Sequence, residues 1–194
     1  MLEQRIQQQF FESADLQYQV AESLSRPISD AAQMLVEAIT AGGRVLCAGL
    51  GLAELDARYL AAQLMGRFEQ DRPGLAALHL DGRVQQGSGS IDVAAALARQ
   101  VQTLGHPGDL LLLLDAYAGS EQQLPTVLDA ARGQDMSVIL LSGSQDEALR
   151  AALLDTDIQI RIPHSRGARV AEAFRLVSHC LCDAIDVQLL GAAE

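Results

Sequence analysis

Lysine and asparagine are absent from this chain; all 14 basic residues are arginine, and the formal net charge is -11. No basic run exists to neutralise a phosphate backbone, so direct nucleic-acid binding is not expected. An acidic surface meets a basic protein partner more naturally, or simply keeps the chain in solution. Aromatic residues make up only 4% of the chain against 49% hydrophobic residues, so the core must come from Leu, Val, Ile and Ala. That composition excludes disorder and suits helices on a parallel sheet better than a sandwich or barrel. No apolar stretch approaches the roughly 20 residues of a membrane span. Met1-Leu2-Glu3-Gln4-Arg5 opens a polar amphipathic segment and not an apolar leader, so a cytoplasmic location is expected. The three cysteines, Cys47, Cys180 and Cys182, are odd in number and unlike a disulfide framework. Buried structural thiols are expected, and no metal clip.

What is present is a strand–helix alternation. Five short apolar runs, at residues 44–48, 75–80, 110–114, 137–141 and 158–162, have the continuous hydrophobicity of strands buried on both faces. Helix-period segments at 53–66, 91–104, 122–132 and 147–154 lie between them. The alternation predicts right-handed βαβ units in a doubly wound α/β fold, one domain over residues 1–194. Two helices are expected first, over 2–24 and 27–40, with Pro27 in the first turn of the second. Ile6, Phe10, Ala14 and Ala21 give the opening helix an apolar stripe. It can cover its own domain or pack on another subunit, so residues 1–40 are the candidate oligomerisation segment. A last helix is expected over 168–190, with Val170, Phe174, Val177 and Leu181 at helical spacing.

In a doubly wound sheet, ligands bind outside the carboxyl ends of strands, at helix N-termini. The first strand ends in Gly49-Leu50-Gly51-Leu52-Ala53-Glu54. The glycines allow a tight turn, but no Ser, Thr or Asn offers a hydroxyl or amide to a phosphate, and Glu54 repels one. The third strand ends in Asp115-Ala116-Tyr117-Ala118-Gly119-Ser120-Glu121, where Ser120 is the single suitable hydroxyl. Gly49, Gly51, Gly119 and Ser120 are therefore at most the remnant of a phosphosugar cradle. His79 ends a strand without an identifiable nucleophile beside it, and His106 and His164 sit in turns. Arg166 and Arg169 are expected in structural ion pairs, and His179 at a surface or interface. Whether Asp81 and Asp115 form a carboxylate pair is open.

Several segments carry a resemblance. Val45-Leu46-Cys47-Ala48-Gly49-Leu50-Gly51, Ala61-Ala62-Gln63-Leu64-Met65-Gly66-Arg67-Phe68-Glu69 and Arg72-Pro73 are similar to phosphoheptose isomerases of the sugar isomerase (SIS) family and their replication-initiation relatives. So are Leu104-Gly105-His106-Pro107-Gly108-Asp109, then Ile160-Arg161-Ile162-Pro163, and His179-Cys180-Leu181-Cys182-Asp183-Ala184-Ile185-Asp186. The last stretch resembles the DiaA branch, whose members associate with the initiator DnaA. The resemblance spans residues 2–190 and implies an α/β/α sandwich around a five-stranded parallel sheet, in a homotetramer whose N-terminal helices share the interface.

The departures bear on function. The isomerases cradle phosphate with G-N-G-G-S-A and S-T-S-G-N-S loops, where this chain has Leu50 for Asn and Ala53 for Ser. The zinc-dependent isomerases use His, Glu, Gln and His; the matching positions are read here as Tyr59, Gln63, Ala171 and Phe174. On this reading no catalytic residue, metal or cofactor is expected. The chain is then a DiaA-like binding protein for DnaA, with a phosphoheptose isomerase or phosphosugar binder as the alternative. Leu189 and Leu190 are neighbours about 100° apart around a helix, so both cannot face inward, and they are the candidate partner contact.

Overall fold

A computed structural model describes residues 1–83, 92–116, 123–143 and 150–191. Helix α1 (Leu2–Thr40) is followed by β1 (Val45–Gly49), α2 (Ala53–Met65), β2 (Ala77–His79), α3 (Val93–Leu104), β3 (Leu110–Asp115), α4 (Leu124–Arg132), β4 (Ser137–Ser142), β5 (Ile158–Arg161) and α5 (Gly167–Leu190). Every strand pairing is parallel, and the sheet order is β2-β1-β3-β4-β5. All five sequence runs are strands, and the strand order reverses at β1 and β3, where a doubly wound fold places its crevice. Of the expected helical segments, residues 91, 122 and 147–149 lie outside the described residues.

Two cores flank the sheet. On one side Leu46, Leu111, Leu113, Val138 and Leu140 pack against α3 and α4. On the other, Val45, Cys47, Leu112, Leu114 and Ile139 pack with α1, α2 and α5. Alternate residues of β1 and β3 thus serve opposite layers, which is why both strands read as unbroken apolar runs.

The two expected opening helices are one. Pro27 lies inside α1, where a missing N–H and a steric clash cost about 3 kcal/mol. Packing overrides that cost: Ile28, Ala31, Ala32 and Leu35, just past the proline, are buried in the core. Ser23 and Ser25 bridge back to the carbonyls of Gln19 and Ala21 in the turn before it. The helix therefore covers its own domain from Leu16 onward, while nearly all of its first eleven residues are exposed.

Two arginine clasps hold the layers in register. Arg44 donates its backbone N–H to Asp109 Oδ1 at 2.8 Å and its Nη2 to Oδ2 at 2.7 Å, tying the starts of β1 and β3. Burial alone would raise the Asp109 carboxyl, but the hydrogen bonds from Arg44 and His106 hold it below its ordinary value. Arg72, buried, donates Nε to Asp186 of α5 at 2.5 Å and its Nη groups to the carbonyls of Leu64 and Gln63. It caps the end of α2 and fastens it to α5.

Candidate functional site

The crevice begins at the β1–α2 turn. Gly49 admits no side chain there, because a Cβ would lie 2.4 Å from the Ala53 carbonyl group, and Gly51 turns the chain at φ +59°. Several amides of this turn have backbone partners. Ala53 donates to Leu50 O at 3.1 Å, Leu55 to Leu52 O at 3.1 Å, and Leu50 to Leu114 O at 3.0 Å. Leu52 and Leu55 are exposed beside them and line the turn with apolar surface. Gly119 and Ser120, the other half of the proposed cradle, lie outside the described residues.

Glu54, expected as a bare charge in the first turn of α2, is buried and paired. It accepts from Arg83 Nη2 at 2.6 Å, and His79 Nε2 stands 3.5 Å from its other oxygen. Burial lowers the His79 imidazole below its ordinary value; Glu54 and Asp81 pull it back up, Arg58 and Arg83 push it down. A ring that resists protonation in the fold favours the unfolded chain once acid can charge it. Stability should therefore fall as pH drops below the unfolded value of about 6.5. Urea midpoints measured from neutral pH down to about 5 should decline less steeply in His79→Gln than in the parent.

One turn further along α2, Tyr59 and Gln63 share a face at i and i+4. Gln63 Nε2 donates to the Tyr59 hydroxyl at 2.6 Å, and that hydroxyl lies 2.9 Å from His179 Nε2 on α5. Phe68 packs on the same imidazole with ring centroids 5.5 Å apart. The Arg175 guanidinium sits 3.6 Å from the centre of the Tyr59 ring and donates to Asp56 at 2.8 Å. The aromatic ring, the cation and the carboxylate thus fix one another.

Phe174 does not belong to this group. It is fully buried in the core with Val170, Val177 and Leu181. Ala171, Arg175 and His179 recur at four-residue spacing on the face toward α2, and Phe174 points a quarter-turn or more away. The residue that completes the cluster is His179, expected from the sequence at a surface or interface. The helical spacing of 171, 175 and 179 was the signal that could have found it.

The zinc of the resembled isomerases does not fit the residues present. The cluster offers one imidazole, a neutral amide and a phenol that bonds to both, and Ala171 has no donor atom. Among the described residues no group of three His, Cys, Asp or Glu side chains is placed to hold a metal ion.

The remaining candidates separate. Asp81 follows β2 and Asp115 ends β3, the strands that flank β1, so two strand spacings of about 4.8 Å separate their strands. Arg166 and Arg169 are in ion pairs with Glu12 and Glu172, and His164 also faces Glu12 at 3.5 Å. Cys47 and Cys182 are buried, and burial pushes each thiol up to about 12. Cys180, expected among them, is exposed instead, because it falls on the outer face of α5. Leu189 is partly buried on the core, and Leu190 is 48% exposed at the end of α5. No helix of the described residues is long and apolar enough to cross a membrane.

The family model described as SIS domain matches residues 9–143. The chain belongs to the SIS-domain family. Over 197 aligned residues it is 50% identical to a protein of Methylibium petroleiphilum named phosphoheptose isomerase, covering 100% of this chain and 98% of that one. It is 37% identical to the DnaA initiator-associating protein DiaA of Klebsiella pneumoniae, covering 94% of each. Among solved structures, a phosphoheptose isomerase from Francisella tularensis superposes with a TM-score of 0.87 at 30% identity, over 96% of this chain and 98% of the other. The SIS fold is thus shared with both named branches, and the crevice residues must distinguish them.

Proposed function

We propose that this SIS-domain chain is a non-isomerising, DiaA-like adaptor: a homo-oligomer, most simply a tetramer, that binds the initiator DnaA. The observation that carries this reading is the closed Tyr59–Gln63–His179 cluster. Moving a proton between neighbouring sugar carbons needs a titratable base free to reach substrate. In this cluster the amide and phenol are spent on each other and on the one imidazole. The β1–α2 turn, with leucines at its mouth and Glu54 in the first turn of α2, supports the loss of phosphate binding as well. The acidic charge supports a protein partner over direct contact with nucleic acid.

Leu190, exposed, and Leu189 beside it are the proposed contact for DnaA, repeated around the oligomer so that weak contacts gain avidity. The test is capture of purified DnaA by the parent chain, by Leu189→Ala and by Leu190→Ala. Capture should drop several-fold in Leu190→Ala at unchanged oligomer mass, in keeping with loss of one exposed apolar anchor. Undiminished capture at unchanged mass removes this patch.

A second reading, a phosphoheptose isomerase, is favoured by the name of the 50% identical relative and by His179, a titratable ring at the crevice. Sedoheptulose 7-phosphate turnover, assayed with and without added zinc, separates the two. The adaptor reading expects none above a metal-stripped blank. Turnover abolished by His179→Ala decides for the enzyme.

A further inference from the structure

Glu54 is a carboxylate that two cations can claim. Its side chain is 10% exposed at the start of α2, whereas the Arg83 guanidinium on its Oε2, at 2.6 Å, is 60% exposed. The other oxygen, Oε1, has no hydrogen-bond partner among the described residues, and nor has His79 Nε2, 3.5 Å away. Two buried polar atoms thus face each other across a gap longer than a good hydrogen bond spans. Leaving both unsatisfied is unfavourable, and one proton on the imidazole resolves it, because the charged ring donates to Oε1.

The neighbouring charges decide what that proton displaces. Facing the His79 ring are Glu54 and Arg58 from α2, and Asp81 and Arg83 from the chain just past β2. From α3 comes a neutral amide, Gln100, whose Nε2 donates to the Asp81 carbonyl at 2.8 Å. Burial holds the ring below its ordinary value; Glu54 and Asp81 favour the proton, and Arg58 and Arg83 oppose it. The protonated ring and Arg83 are therefore like charges competing for one carboxylate. Arg83 has a second carboxylate at hand: its backbone N–H donates to Asp81 Oδ1 at 2.9 Å, and its Nε lies 3.6 Å from the same oxygen. The exposed guanidinium gives up one ion pair at little loss, since solvent replaces it; the buried imidazolium has no such substitute.

We propose that Glu54 exchanges partners on acidification: at neutral pH Arg83 holds it, and in acid a protonated His79 takes the carboxylate while Arg83 withdraws to Asp81 and solvent. The tie between α2 and the end of β2 then passes from a surface contact to a buried one. Because burial opposes the charge on the ring, the exchange occurs below the ordinary imidazole value of about 6.5. It accompanies the loss of stability expected over the same range. One wall of the crevice is thereby coupled to the protonation of a residue outside the Tyr59–Gln63–His179 cluster.

The test is a pair of side-chain titrations by NMR on the full chain. Four histidines and 14 arginines are few enough for ring and guanidinium signals to be assigned by substitution, with His79→Gln and Arg83→Gln. As pH falls, the Arg83 guanidinium signal should shift toward its position in Glu54→Gln, with the same midpoint as the His79 ring. His79→Gln should hold the Arg83 signal in place over that range. Arg83→Gln removes the competing cation and should raise the His79 midpoint, whereas Glu54→Gln should lower it. An Arg83 signal indifferent to the titration of His79 overturns the proposal. So does a His79 midpoint that Arg83→Gln leaves in place or lowers; that variant alters an exposed side chain and does not depend on Glu54→Gln folding. Neither DnaA capture nor sugar turnover enters these measurements, so the exchange can fail while the adaptor reading stands, and the reverse.

Discussion

Asp186→Ala is expected to lower the unfolding free energy by about 3–5 kcal/mol, the range for breaking a buried ion pair from one side. Arg72 and Asp186 have side-chain exposures of 1% and 2%, so water cannot replace the lost carboxylate. The guanidinium left behind keeps its bonds to Leu64 O and Gln63 O but loses its counter-charge. Arg72→Ala should cost at least as much, because it also orphans those carbonyls at the end of α2. Denaturant midpoints of the two variants check both the size and the order. An Asp186→Ala midpoint within about 1 kcal/mol of the parent would mean that the pair is compensated by solvent, against its burial.

Phe174→Ala is expected to destabilise by a similar amount, about 3–5 kcal/mol, through the cavity left between α5 and the sheet. The ring is fully buried among Val170, Val177 and Leu181. Phe174→His provides the contrast. If this position faced the crevice, an imidazole there would be tolerated; in the core it is an unpaired polar ring and should be comparably destabilising. Ala171, half-buried on the crevice side, should accept Gln with little effect on the midpoint. Thermal or urea unfolding of the three variants separates the two faces of α5.

The two roles that the sequence suggests for Phe174 are incompatible, and the conflict is visible in the sequence itself. Helical spacing sets it in the apolar stripe 170-174-177-181, while the resemblance sets it beside Tyr59 and Gln63. One side chain on a helix cannot face both, and the stripe was the stronger signal because four buried positions agreed on it. The strands were legible for a related reason: burial on both faces leaves an unbroken apolar run. Pro27 misled because a local rule about helix interiors was set against packing that the sequence does not display. Glu54 is legible in the first turn of α2, but its partners His79 and Arg83 come from the end of β2 and just past it. Only the strand order brings them to it.

The packing of α1 on α5 has a consequence for how the chain is made. The most extensive partner of the first helix is the last one, and the two are separated by the entire sheet in sequence. During synthesis Leu16, Val20 and Ile28 lack their full cover until α5 has left the ribosome, so the nascent chain carries a partly uncovered apolar helix until then. β1 likewise waits for β3, about sixty residues later, for its longer neighbour. Premature termination within α5 should therefore produce not a shortened native domain but an aggregation-prone one. Holdase capture of ribosome-bound chains should persist until the final helix emerges.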